Sequence, residues 1–153
     1  MEIRELEAQP ILANQGAGRL DQIGRLFVEL MQPVREVVMA NGLELKSPPM
    51  CRYLSRDSKE GIVEIQAGVY LAVPCPQYGS VVCRFLPAGL AVVADHIGPY
   101  RNLGETHGAI ARFVGDQPDL KRAGPVWEVY WSDPDEVPAE KLRTEVYFPV
   151  IRT

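Results

Sequence analysis

The chain has 153 residues, which is enough to bury a core and is short enough for a single domain over residues 1–153. Hydrophobic residues make up 46% and charged residues 24% of the sequence, the balance of an ordinary globular protein. The formal net charge of −4 argues against the basic surface that nucleic-acid binding requires.

The sequence shows no sign of a membrane segment, a leader peptide or a metal centre. No apolar run approaches the roughly 18 residues of a membrane span. The opening residues, MEIRELEAQ, are too charged for a signal peptide. An odd set of cysteines without a CxxC pair favours a reducing cytoplasm over a disulfide framework or a zinc site. We therefore expect a cytoplasmic protein without a metal or cofactor; its cysteines are Cys51, Cys75 and Cys83.

The first half of the chain has the pattern of a strand, a helix and two further strands. These elements are predicted over residues 1–16, 19–40, 50–55 and 62–73. The first strand should bend at Pro10. Apolar residues at three- and four-residue spacing predict an amphipathic helix, kinked by Pro33 and ended by Asn41-Gly42. VPCPQYGS, residues 73–80, breaks both periodicities and is predicted to connect the two halves.

The second half repeats this plan. Its strand, helix and two strands are predicted over residues 83–94, 99–114, 126–132 and 143–151. Gly98-Pro99 is a good helix entrance, because a proline at the first helical position loses no needed hydrogen bond. The segments DQPDLKRAGP and SDPDEVPAEK are predicted to be polar loops.

An internal duplication accounts for the repeated plan. An offset of 80 residues aligns Gly18 with Gly98, and an offset of 77 residues aligns Tyr53 with Tyr130. The repeats cover about 1–73 and 83–152. We therefore predict an α+β fold of duplicated β-α-β-β units, which form two pseudo-symmetric antiparallel sheet-helix modules.

Glu128 stands in the most apolar and aromatic strand, PVWEVYWSDP. Strand alternation places it on one side with Val126 and Tyr130, and its first-half counterpart is Cys51. A buried charge costs several kcal/mol and is usually tolerated where function uses it. A carboxylate among aromatic rings suits a lipophilic cation. The alternatives are exposure to solvent or a salt bridge to an arginine, with the candidates Arg52, Arg84 and Arg143.

Further aromatic residues are candidates for the same pocket. Tyr147 replaces Gln66 of the first half and is a candidate for the pocket wall. Tyr100 opens the second helix, where a core contact is as plausible as a ligand contact. Trp127, also a candidate for ligand contact, points away from Glu128 together with Trp131, and both are more readily assigned to the core against the helix.

These features resemble the GyrI-like small-molecule-binding domain, the effector-binding module of multidrug-responsive and AraC-type bacterial transcription regulators. The resemblance rests on LPAGLAVVADHIGPYRNLGE, on PVWEVYWSDPDEVPAEKLRTEVYFPV and on the duplicated plan. It covers essentially the whole chain and is strongest from Leu86 to Ile151.

The resemblance implies a ligand cleft between the two modules. The family's buried glutamate on an E-x-Y strand, which faces cationic aromatic drugs, corresponds to Glu128. Its aromatic residue on the last strand corresponds to Tyr147, and Tyr130 and Tyr53 are further candidates. The family's regulators carry an N-terminal helix-turn-helix domain that this chain lacks, so we expect a stand-alone member without direct DNA binding.

Three functions are compatible with this resemblance. The first is binding of hydrophobic, often cationic small molecules for sensing or sequestration. The second is hydrolysis of a cyclopropane-type electrophile, with Glu128 as general acid or base and Tyr147 or Tyr130 orienting the water or substrate. No nucleophile–base pair is visible, and neither histidine has an obvious role. The third is a gyrase-inhibitor-like interaction through the acidic stretch SDPDEVPAE.

Overall fold

The computed structural model describes all residues 1–153, and they form two compact α+β units, Ala8–Leu86 and Met1–Glu7 with Pro87–Thr153. In chain order the elements are β1 (Glu2–Leu6), β2 (Gln9–Arg19), α1 (Ile23–Asn41), β3 (Met50–Asp57), β4 (Ile62–Tyr70), β5 (Val82–Leu86), β6 (Gly89–Ile97), α2 (Leu103–Gly115), β7 (Leu120–Arg122), β8 (Trp127–Tyr130) and β9 (Arg143–Arg152). A single 3-10 turn leads into each helix. No helix is long and apolar enough to span a bilayer.

The unit Ala8–Leu86 is an antiparallel sheet in the order β3-β4-β2-β5, with α1 packed on one face. The apolar stripe of α1 buries Met31 and Val34 against strand residues such as Leu12 and Val69. The helix ends at Gly42, whose left-handed φ of 58° is tolerated because glycine has no Cβ. The predicted helix and its Asn41-Gly42 end are therefore confirmed.

The unit of Met1–Glu7 and Pro87–Thr153 has the strand order β1-β6-β9-β8, and β7 also pairs with β9. Its helix α2 packs on one face, which carries the alternate residues Val92, Val146 and Phe148. Ile110 and Val114 supply the apolar stripe of α2 to this core. Both units thus have the α+β architecture that the sequence predicts, with one helix behind each antiparallel sheet.

Two of the predicted strands are wrong in their extent, because the structure divides each of them into two shorter strands. The strand predicted over residues 1–16 is interrupted at Glu7-Ala8, and Pro10 lies inside β2 rather than at a bend. The strand predicted over 83–94 is interrupted at Pro87-Ala88. The short first pieces pair outside their own half of the sequence: β1 pairs with β6, and β5 pairs with β2. The compact units therefore do not coincide with the predicted repeats, and the duplication itself stays a prediction.

The short strand β7 lies in the segment DQPDLKRAGP, which was predicted to be a loop. Leu120–Arg122 pairs with the end of β9, and Leu120 is buried in the core beneath α2. Three residues between polar turns carry too little periodicity for a strand to be recognised. The strand predicted over 126–132 is shorter, Trp127–Tyr130, although the Trp131 amide still donates to the Arg143 oxygen at 3.1 Å.

Candidate functional site

Glu128 is almost completely buried, with 1% of its surface exposed, and its carboxylate has two polar neighbours. The Tyr130 hydroxyl donates a hydrogen bond to Oε1 over 2.7 Å. Nε2 of His107 lies 2.5 Å from Oε2. Each carboxylate oxygen therefore has its own protein partner, as a buried charged group requires.

The register of the sheet decides which way Glu128 points. On β8 it lies opposite Val146 of β9, and Val146 belongs to the core beneath α2. Glu128 therefore faces the helix, and His107 reaches it from α2. The side chain of His107 is 29% exposed, so it covers the carboxylate and also touches solvent.

Two tyrosines form the aromatic side of the site. The ring of Tyr100 meets the ring of Tyr130 edge-on, with ring centres 5.5 Å apart and planes at 66°. Burial raises the pKa of the Tyr100 phenol, and the negative charges of Asp133 and Glu128 raise it further. Tyr100 is 37% exposed, so it stands at the solvent end of the Tyr100–Tyr130–Glu128 series.

The alternative readings of Glu128 are both wrong. The side chain is not exposed, and its ionisable partner is a histidine rather than an arginine. Arg143 pairs instead with Asp95 at 3.1 Å and with Glu145 at 3.7 Å. Neither Arg52 nor Arg84 forms an ion pair, and Arg84 donates only to the backbone oxygen of Cys83.

No role for either histidine is obvious from the sequence, whereas in the structure His107 contacts Glu128. His107 lies four residues after Leu103 and three before Ile110, so it shares the buried face of α2. That helical spacing was the signal that could have placed it near the sheet. His96 is buried for a structural reason: Nε2 donates to the oxygen of Pro99 at 3.0 Å, and Nδ1 lies 2.7 Å from the Thr106 hydroxyl. It ties β6 to the start of α2.

Tyr147 does not share the site with Glu128. It lies opposite Trp127 in the β8–β9 ladder, one residue out of step with the Glu128–Val146 pair. The two residues therefore occupy opposite faces of the sheet. The rings of Trp127 and Tyr147 stack with centres 5.0 Å apart and planes at 6°. Trp127 is buried, as a core residue should be, whereas Trp131 is 42% exposed. The part of the prediction that places both against the helix is wrong, because their side of the strand faces away from α2.

Glu145 is the polar centre of this second face, and it is only 7% exposed. Tyr147 donates to its Oε1 at 2.5 Å, and the indole nitrogen of Trp131 donates to the same oxygen at 3.2 Å. Guanidinium nitrogens of Arg4 and Arg143 lie 3.6 and 3.7 Å from its Oε2. Glu145 therefore belongs to a satisfied ionic network.

Tyr53 lies in the unit Ala8–Leu86, on β3 opposite Ile65, and its side chain is half-buried. Its contact with a ligand stays a prediction.

All three cysteines are free thiols. No three histidine, cysteine or acidic side chains converge as the ligands of a metal ion would.

Antiparallel sheets that are each backed by one helix place the chain in the α+β class of folds. The sequence matches the family model of the GyrI-like small molecule binding domain over residues 1–151. The chain therefore belongs to the GyrI-like family, and the resemblance seen in the sequence is confirmed.

Solved structures share the same fold at low sequence identity. The C-terminal domain of EcmrR has a TM-score of 0.81 and 21% identity, over 99% of this chain and 97% of that domain. EcmrR in a DNA complex has a TM-score of 0.84 and 20% identity over 99% of this chain, and this chain spans 57% of that protein. SAV2435 bound to tetraphenylphosphonium has a TM-score of 0.63 and 12% identity, over 97% of this chain and 92% of that one. No curated protein matches the sequence significantly.

Proposed function

We propose that this GyrI-like domain binds a hydrophobic organic cation, with Glu128 as the counter-charge and Tyr130 and Tyr100 as the aromatic wall. The observation that carries the proposal is a carboxylate with 1% exposure whose ionisable partner is a histidine on the covering helix. Aromatic faces attract a cation, and a carboxylate in a site shielded from water strengthens that attraction.

A comparison of the two buried glutamates supports this choice. Glu145 lies within 4 Å of two guanidinium groups, which carry a permanent positive charge. Glu128 lies beside an imidazole, whose charge depends on protonation. Because Glu145 already has two fixed positive charges beside it, we choose Glu128 as the counter-charge of a cationic ligand. To contact Oε2, the ligand has to displace or share the position of His107, whose Nε2 is 2.5 Å away.

The test compares two tetraphenyl ions of nearly the same shape and of opposite charge. Tetraphenylphosphonium, the ligand seen in the SAV2435 structure, is titrated against the wild type and against Glu128→Gln, with tetraphenylborate as the matched anion. We expect wild type to bind the phosphonium in preference to the borate. Glu128→Gln should lose about 1–3 kcal/mol of phosphonium binding, the order of the Coulomb attraction between a carboxylate and a bulky cation that has no hydrogen-bond donor.

Glu145→Gln is the matched control, since it removes another buried carboxylate from the opposite face of the same sheet. It should leave the phosphonium affinity unchanged. Equal phosphonium binding by wild type and Glu128→Gln would remove Glu128 from the site. Equal binding of the phosphonium and the borate by wild type would show that charge recognition is not its basis.

A hydrolase is the second candidate, and the contact between His107 and Glu128 favours it. A carboxylate 2.5 Å from an imidazole can orient that imidazole as a general base for water, while Tyr130 holds the carboxylate in place. The two functions differ in what happens to the ligand. A reactive electrophile recovered unchanged by mass spectrometry after prolonged incubation with the protein supports binding alone, and a gain of one water supports hydrolysis.

A further inference from the structure

A row of polar side chains crosses the sheet of the unit Ala8–Leu86 on the face away from α1. Arg52 of β3 lies directly opposite Gln66 of β4, and Gln66 lies directly opposite Gln15 of β2. The alternate residues of these strands, such as Ala67 and Leu12, pack towards α1. Directly opposed residues have Cβ atoms about 5 Å apart, so the three side chains are neighbours.

Arg52 has no protein partner. Its Nε is buried without a hydrogen-bond acceptor, and its guanidinium forms no ion pair. Burial lowers the pKa of this guanidinium, and no neighbouring carboxylate opposes the effect. This is unusual in a chain with 20 acidic and 16 basic residues, because carboxylates are plentiful. A half-buried arginine is normally paired.

Gln66, opposite Arg52, also has a buried polar atom without a hydrogen-bond partner. Its side chain is 6% exposed, and its Oε1 is buried without a hydrogen-bond donor. Its Nε2 donates to Oε1 of Gln15 over 3.3 Å. A buried polar atom without a partner is unfavourable, so two such atoms on directly opposed residues point to a missing group.

The missing group can be identified by charge and by hydrogen bonding. Rotation of both amides by half a turn lets Gln15 donate to Oε1 of Gln66 and turns the Gln66 NH₂ group towards the row. Arg52 and Gln66 then present only donors, a guanidinium and an amide NH₂ group, and one uncompensated positive charge. A planar carboxylate matches a guanidinium in shape and charge. Gln15 is exposed, so the outer end of the row is open to solvent.

We propose that Arg52 and Gln66 form a binding site for the carboxylate group of a small organic acid. The site uses a positive charge, whereas the site at Glu128 uses a negative one, so it goes beyond the proposed cation binding. The two proposals can be tested independently, because the two sites share no residue.

The test uses benzoate as the probe and benzamide as its neutral counterpart of the same shape. The Nε–H signal of Arg52 and the side-chain NH₂ signal of Gln66 are followed in ¹H–¹⁵N spectra of the full chain. We expect benzoate to shift both signals saturably and benzamide to leave them in place. Arg52→Met should lower the benzoate affinity at least about tenfold, judged from the Gln66 signal, since it removes a charge-assisted hydrogen bond.

Gln66→Glu provides a second, independent variant, because it places a carboxylate beside Arg52 within the protein. It should raise the unfolding temperature and lower the benzoate affinity at least about tenfold. Arg84→Met, which removes an exposed arginine of β5 that forms no ion pair, is the control and should bind benzoate like wild type. The absence of saturable shifts in wild type would overturn the proposal, as would unchanged benzoate affinity in Gln66→Glu.

Discussion

Glu128 and Glu145 lie on adjacent strands and are both buried, yet their side chains have different surroundings. Glu145 is held by arginines, a tyrosine and a tryptophan, whereas Glu128 is held by His107 and Tyr130. We therefore expect the Tyr130 hydroxyl, two residues from Glu128 on the same face of the strand, to stabilise the folded protein. Its contribution can be measured separately from ligand binding.

Removing this hydroxyl should destabilise the protein. Tyr130→Phe deletes the 2.7 Å hydrogen bond to Oε1 and leaves a buried carboxylate oxygen less satisfied, which should lower the free energy of unfolding by about 1–3 kcal/mol. Urea unfolding followed by circular dichroism measures the change. Tyr100→Phe is the control and should stay within about 0.5 kcal/mol, because the Tyr100 side chain is partly exposed. Equal effects of the two variants would show that the Tyr130 hydroxyl has no special role.

The phenol of Tyr100 gives a pH-dependent signal. Burial and the nearby negative charges raise its pKa, so it should ionise at higher pH than an ordinary tyrosine. Because the folded state holds this proton more tightly than the unfolded state, stability from this group is present below the unfolded pKa and decreases as the pH rises above it. The difference in phenolate absorbance between wild type and Tyr100→Phe should show this late transition. A difference transition in the ordinary tyrosine range would contradict it.

At the scale of elements, the close approach of strands in the unit Ala8–Leu86 depends on Gly68 of β4. A Cβ at this position would overlap the backbone oxygen of Leu12 on the neighbouring strand β2. Backbone cannot move aside as a flexible side chain can. Gly68 is therefore needed for packing rather than for a special φ angle.

Gly68→Ala should lower the free energy of unfolding by about 1–3 kcal/mol or more, because overpacking forces the strands apart. Gly104→Ala is the matched control. Gly104 lies on α2, and a methyl group added there would have nothing within 4 Å, so alanine should be neutral or stabilise by up to about 1 kcal/mol. Denaturant unfolding of both variants distinguishes them. A neutral Gly68→Ala would show that β2 and β4 can separate without cost.

At the scale of the whole molecule, ligand binding must be visible in global stability. A ligand that binds only the folded chain raises the free energy of unfolding by about 2.7 kcal/mol at a concentration one hundred times its Kd. Tetraphenylphosphonium should therefore raise the unfolding midpoint of wild type, and the same concentration should have a smaller effect on Glu128→Gln. Thermal scans at several ligand concentrations test this, and a midpoint that does not depend on ligand concentration would contradict cation binding.

At this scale, the order of residues along the chain also differs from their grouping into compact units. Residues Met1–Glu7 come first in the sequence, but their strand β1 pairs with β6, after the whole of the unit Ala8–Leu86. One compact unit is therefore built from two separate pieces of chain. Sequence offsets could not show this, because β1 and β5 align with each other in the repeat whichever sheet they join.

Features that depend on local periodicity could be predicted from the amino-acid sequence without any structure. Apolar spacing predicted the first helix and the repeated plan predicted the second, while Asn41-Gly42 and Gly98-Pro99 predicted a helix end and a helix start that are close to those observed. Alternation along one strand placed Glu128 with Tyr130 and away from Trp127, as the ladder confirms. These are interactions between residues that are close in the chain, so they are encoded locally.

Tertiary packing, by contrast, determines which face of each strand lies against a helix. The β8–β9 register put Glu128 under α2 and Tyr147 on the other side, and the packing of α2 brought His107 to the carboxylate. A shift of one residue in register would have reversed every one of these assignments. Register and helix placement are fixed by contacts between residues that are distant in the chain. Alternation along the strand therefore identified Tyr130 as a neighbour of Glu128, but only the tertiary structure brought His107 to it.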